Sequence, residues 1–87
     1  MAKYIISYDL RKPDFDYQPL YDALGEISAT HLQDSVWGLD SDDGSKVVFD
    51  YLWQHMHSKR DRLFVVEFDK TNYRSINAID ENKLANV

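Results

Sequence analysis

Asp9 closes the stretch KYIISYD and is followed at once by Leu10, Arg11 and Lys12. A carboxylate at a strand end projects from the rim of a sheet. There it either caps the following turn or ligates a cation. Magnesium prefers six oxygens and keeps several waters, so one carboxylate is too little for it. A two-fold axis near Asp9 would bring two copies together. Paired carboxylates and phosphate oxygens would then form a magnesium site suited to phosphodiester cleavage. Arg11 and Lys12 would hold a phosphate beside it, or else form a solvated turn. A second cationic run, Lys59, Arg60 and Arg62, precedes the last apolar segment. If the strands these runs flank are antiparallel but not adjacent, the two runs lie at opposite ends of the sheet and need not merge.

Other polar groups carry less. His55 and His57 are two apart, so on a helix they diverge by roughly 200° and cannot easily share a metal. Tyr8 reads as a core side chain rather than an acid. Asp40, Asp42 and Asp43 lack the late glutamate of a calcium loop and read as a capping turn. The chain has no cysteine, which excludes structural disulfides, thiolate zinc sites and a cysteine nucleophile.

The elements that must position these groups follow from periodicity. Residues 3–10 alternate, with Tyr4, Ile6, Tyr8 and Leu10 on the core face. RKPDF reads as a turn, with Asp16 as a helix N-cap and Pro19 in the first turn. Tyr17, Leu20, Tyr21, Leu24 and Ile27 recur at helical spacing, which predicts a helix over 17–28. Gly25 inside it costs up to about 1 kcal/mol relative to Ala, and close packing is one reason to keep it. Residues 30–40 are extended but break near Asp34 and Ser35, giving two strands with a tight reversal or one bulged strand. A second helix is expected over 45–57, with Phe49, Leu52, Trp53 and Met56 on its buried face and Val48 beside them. Residues 62–68, RLFVVEF, form a strand apolar on both faces. Residues 72–79 are expected to pair at a sheet edge or form a helical turn, and 81–87 to fray.

With two middle strands this is one α+β domain over residues 1–80. Its expected form is a ferredoxin-like βαββαβ fold, an antiparallel sheet with two helices on one face. The other face is left open, with Ile5, Leu63 and Val65 on positions that would line it. A second copy is the simplest cover, so a homodimer is expected.

Three segments, YIISYDL (4–10), QDSVW (33–37) and RLFVVEF (62–68), in this order and spacing, resemble the CRISPR-associated protein two family. The likeness spans residues 3–68. It is nearest a stand-alone SinR-like branch close to the virulence-associated protein D ribonucleases. The resemblance implies a ferredoxin-like homodimer and a metal-dependent endonuclease, acting on RNA rather than duplex DNA. Asp9 matches the family's acidic residue, the magnesium ligand. Ser35 and Gln33 match the later motif's serine and glutamine, and Ser35 would position a phosphate. Trp37 stands where the family has Phe.

Composition pulls toward a different reading. The formal net charge is −5, whereas a nonspecific DNA binder is usually basic. This argues against duplex DNA and leaves room for a local basic patch. A non-catalytic dimeric module binding a nucleic acid or protein partner is therefore the alternative, and a toxin–antitoxin component a third. No apolar run nears the roughly 20 residues needed to cross a membrane. The apolar N-terminal run is also shorter than a signal peptide, and a cytoplasmic location is expected.

Overall fold

Alternation builds the central strand. In β1 (Ala2–Asp9), Tyr4, Ile6 and Tyr8 are buried and the residues between them are not. The computed structural model describes residues 2–69. The remaining elements in chain order are α1 (Gln18–Glu26), β2 (Thr30–Gln33), β3 (Val36–Ser41), α2 (Ser45–Trp53) and β4 (Arg62–Phe68). The strands form one antiparallel sheet in the order β2-β3-β1-β4. This is the ferredoxin-like arrangement expected from the sequence. The region around Asp34 and Ser35 is a tight reversal between β2 and β3, with a register shift between His31 and Gln33. The stretches 72–79 and 81–87, and the domain's end near residue 80, lie outside the described residues.

Both helices pack on one sheet face. Leu20, Ala23 and Leu24 of α1, and Val48 and Leu52 of α2, meet Tyr4, Ile6, Tyr8 and Leu39, with Met56 completing the cluster. Ile6, Leu20, Leu24 and Leu52 are fully buried. Each such side chain contributes about 1.5–3 kcal/mol of transfer free energy.

Pairing across β1 and β4 decides which side of β4 faces the helices. Tyr8 lies opposite Leu63 and Ile6 opposite Val65. Leu63 and Val65 therefore share the core face and pack against it. The open face carries Ile5, Phe64 and Val66 instead, with Phe64 62% exposed. The expectation that Leu63 and Val65 line the open face is corrected by this register.

Both helices are shorter than their apolar periodicity suggests. The N-cap position of α1 is Tyr17, without a side-chain cap. Asp16 acts one residue earlier, its Oδ1 accepting the Gln18 N–H at 3.0 Å. The helix ends in a Schellman motif: the Ala29 N–H reaches the Leu24 carbonyl and the Ser28 N–H reaches that of Gly25, each at 3.0 Å. Ser28 takes the left-handed position, φ 60°. Close packing does not account for Gly25, since a Cβ there would meet nothing within 4 Å. α2 stops at Trp53, so His55 and His57 lie in the following turns rather than on a helix. Phe49 and Trp53 stack on each other, partly exposed, while Val48 and Leu52 carry the buried side.

Candidate functional site

The candidate residues gather at one end of the sheet. β1 runs into this end, β4 starts from it, and the β2–β3 reversal lies beside it. The register pairs Asp9 with Arg62. Next to them, the Tyr8 N–H donates to the Ser35 carbonyl at 3.1 Å. Asp9, Arg11, Lys12 and Ser35 thus share one rim. The cationic run before β4 shares it too. β1 and β4 are adjacent antiparallel strands, so the loop leaving one and the loop entering the other sit together. The two runs expected at opposite ends converge, and the rim holds Arg11, Lys12, Lys59, Arg60 and Arg62, five of the chain's ten Lys and Arg residues.

Asp9 is the pivot of this rim. Its Oδ2 accepts from the Arg11 Nη1 at 3.1 Å and from the Arg62 Nη1 at 3.4 Å. The carboxylate is about half exposed, at 47%, and the arginine side chains are 52% and 73% exposed. Each guanidinium offers five N–H donors, and one nitrogen of each is spent on Asp9. Guanidinium donors of this kind suit a group that can take several at once, as a carboxylate or a phosphate does. Lys12 is held differently, its Nζ 2.7 Å from Asp14.

Magnesium fits a single chain poorly. The rim offers the Asp9 carboxylate, one oxygen of which faces two guanidiniums, while Asp14 is paired with Lys12 and Asp61 is turned to its own donors. The described residues contain no group of three His, Cys, Asp or Glu side chains placed to hold a metal ion. A six-oxygen shell would need a second copy of Asp9 and oxygens from a ligand.

Behind the rim stands a buried polar group that sequence reasoning passed over. Asp61 is 7% exposed. Its Oδ1 accepts from the Tyr17 hydroxyl at 2.6 Å and the Arg11 N–H at 2.8 Å; its Oδ2 accepts from the His57 N–H at 2.7 Å. The Tyr17 oxygen in turn accepts the Lys12 N–H at 3.3 Å. Burial pushes the Asp61 carboxyl up. The hydrogen bonds from Tyr17, Arg11 and His57, together with the His57 charge, outweigh it and hold the group below the usual carboxylate range. Burial, then the bond to Asp61, pushes the Tyr17 hydroxyl up to about 12. The proton therefore stays on Tyr17 and off Asp61. In the sequence Asp61 reads as one acid within the charged loop SKRDR, and no local pattern marks it.

The aromatic groups nearby pack on or bond to one another. Tyr8 is a core side chain, as expected; its hydroxyl accepts from the Trp37 Nε1 at 3.0 Å and lies 3.4 Å from the Asp34 carbonyl. His31 stacks on Trp37 with centroids 4.1 Å apart. His55 meets Tyr51 edge-on and His57 meets Phe15, so the two imidazoles have different neighbours.

The fold defines a small α+β protein of ferredoxin-like topology with a cationic sheet rim. No family model matches the chain, and no solved structure matches it significantly. No helix among the described residues is long and apolar enough to cross a membrane.

Proposed function

We propose that the chain is a dimeric, non-catalytic binding module that holds the phosphates of single-stranded RNA on its Arg11–Arg62 rim. The observation that carries this reading is the meeting of both guanidiniums on one oxygen of the half-exposed Asp9 carboxylate, which is their one side-chain acceptor among the described residues. An anion already sits where the ligand's anion would come. Lys59 and Arg60 precede the same strand and extend the positive strip. The net charge of −5 disfavours long stretches of duplex, whose affinity depends on broad neutralisation. The open sheet face, with Ile5, Phe64 and Val66, suits a second copy, which would double the number of rims.

A fluorescence-anisotropy titration of a short labelled single-stranded RNA tests the reading, with duplex DNA as competitor and light scattering for the mass. The reading expects a dimer, saturable RNA binding and weak competition by duplex. A protein that binds duplex DNA better than RNA would overturn the ligand class.

A second reading, a magnesium-dependent endonuclease using Asp9 with Ser35, is favoured by one observation: both residues stand at the same sheet end, in the order the family resemblance implies. It needs Asp9 from two copies. RNA cleavage that requires magnesium and disappears in Asp9→Asn would put this reading first.

A further inference from the structure

Asp61 is the one charged side chain buried among the described residues. Taking a carboxylate out of water costs several kcal/mol unless hydrogen bonds replace the lost solvent. Asp61 finds its three donors on three separate segments: Arg11 in the loop after β1, Tyr17 at the entry to α1, and His57 in the turns after α2. Two of the residues it links belong to the rim or adjoin it. Its Oδ1 fixes the main chain of Arg11, and its own peptide continues directly into Arg62. Tyr17 passes the tie on to Lys12 through the Lys12 N–H.

This geometry matters because the two arginines come from distant parts of the sequence. Arg11 leaves β1 in a loop containing Pro13, with no strand partner of its own. Strand pairing sets Asp9 against Arg62 but stops there. Among the described residues the Arg11 N–H has one hydrogen-bonded acceptor, the Asp61 carboxylate. Without it the Arg11 backbone would be free to swing, and the guanidinium would reach Asp9 and any ligand only part of the time.

We infer that Asp61 is a positioning residue: by holding the Arg11 main chain next to Arg62, it sets the spacing of the two guanidiniums that receive a phosphate. The inference rests on the phosphate-binding reading and names what shapes that site. Asn at position 61 keeps the volume but turns one oxygen into a donor. That donor would face either the His57 N–H or the Arg11 and Tyr17 donors; in the first case the Arg11 N–H keeps only a neutral amide oxygen, roughly half as strong an acceptor as the carboxylate, and in the second it loses its acceptor.

The test is RNA binding by Asp61→Asn, Arg11→Ala and the double variant. All are measured well below their melting temperatures, beside Val48→Ala as a core-destabilised control. Asp61→Asn is expected to weaken binding about fivefold and to lower the magnitude of the salt slope by about 0.7, as when one single-strand phosphate contact is lost. In the Arg11→Ala background it should add little, and Val48→Ala should bind as the wild type. Wild-type affinity in Asp61→Asn, losses that multiply in the double variant, or an equal loss in Val48→Ala would overturn the inference. If Asp61→Asn does not fold, amide hydrogen exchange of the wild type decides: a protected Arg11 N–H is expected, and exchange at the free-peptide rate refutes the anchor. A wild type that binds no RNA refutes the phosphate-binding reading, and with it the positioning role. The exchange measurement then shows separately whether Asp61 still anchors the loop.

Discussion

Asp9→Asn separates the two readings by the sign of its effect. The substitution keeps the side chain's shape and one acceptor oxygen while removing the charge that both guanidiniums face at 3.1 and 3.4 Å. The pair contacts are half exposed, so solvent screens them and each stabilises the fold by about 0.2–1 kcal/mol. The two contacts together amount to about 0.4–2 kcal/mol, so the melting temperature should fall by about 2–16 °C at the 4–8 °C per kcal/mol typical of a domain of this size. Binding should move the other way. The resident carboxylate repels an incoming phosphate with a similarly screened energy, so its removal should tighten RNA binding by up to about 1 kcal/mol, or about fivefold. The gain should shrink as salt rises, because exposed charges are screened over about 8 Å at physiological ionic strength. Anisotropy titrations at low and moderate salt, with circular-dichroism melts of the same samples, read both quantities. Weaker binding in Asp9→Asn, or magnesium stabilisation of the wild type that the variant lacks, would refute this reasoning and make Asp9 a ligand-holding group.

Four further outcomes follow from particular residues. Ser28→Gly should stabilise the protein by about 1 kcal/mol in a thermal melt, since Ser28 occupies a left-handed C′ position that Gly adopts without cost. Gly25→Ala should stabilise by about 0.5–1 kcal/mol in urea unfolding, because the added methyl meets open space on an exposed helix position. Phe64→Glu should give a monomer mass by light scattering while leaving the fold intact, because Phe64 is 62% exposed on the open face; an unchanged dimer would move the interface elsewhere. The folded Asp61 carboxyl is held below its ordinary value of 3.8, so its contribution is present above that pH and is lost as pH falls below it; Asp61→Asn should flatten the acid limb of a stability–pH curve there, with Tyr17, His57 and Arg11 as the groups facing it.

The parts of this fold that were legible in the sequence are those where one face is clearly apolar. β1 is readable because Tyr4, Ile6 and Tyr8 alternate with Lys3, Ile5, Ser7 and Asp9, a set that is polar apart from Ile5. The buried side of α1 was readable from Leu20 and Leu24. β4 was readable as a strand but not as a face, because Leu63 and Val65 are as apolar as Phe64 and Val66. Only the pairing of Tyr8 with Leu63 and Ile6 with Val65 settles it. The apolar spacing of α2 runs past its end at Trp53 because Met56 continues it from a turn that packs on the same core. Asp9 was singled out from its place at a strand end. Its arginine partners were half visible: Arg11 is a sequence neighbour, whereas Arg62 arrives through a register that no local pattern encodes. Asp61 left no signal, because its three donors come from 4 to 50 positions away.

The most direct test of the phosphate rim is the salt dependence of single-stranded RNA binding in the wild type and in the Arg11→Ala/Arg62→Ala double variant. Each arginine lost from a phosphate should lower the magnitude of the slope of log affinity against log salt by about 0.7. The account predicts a drop of about 1.4 for the double variant, with weaker binding at every salt concentration and an unchanged fold. Equal slopes and equal affinities in the two proteins would contradict it.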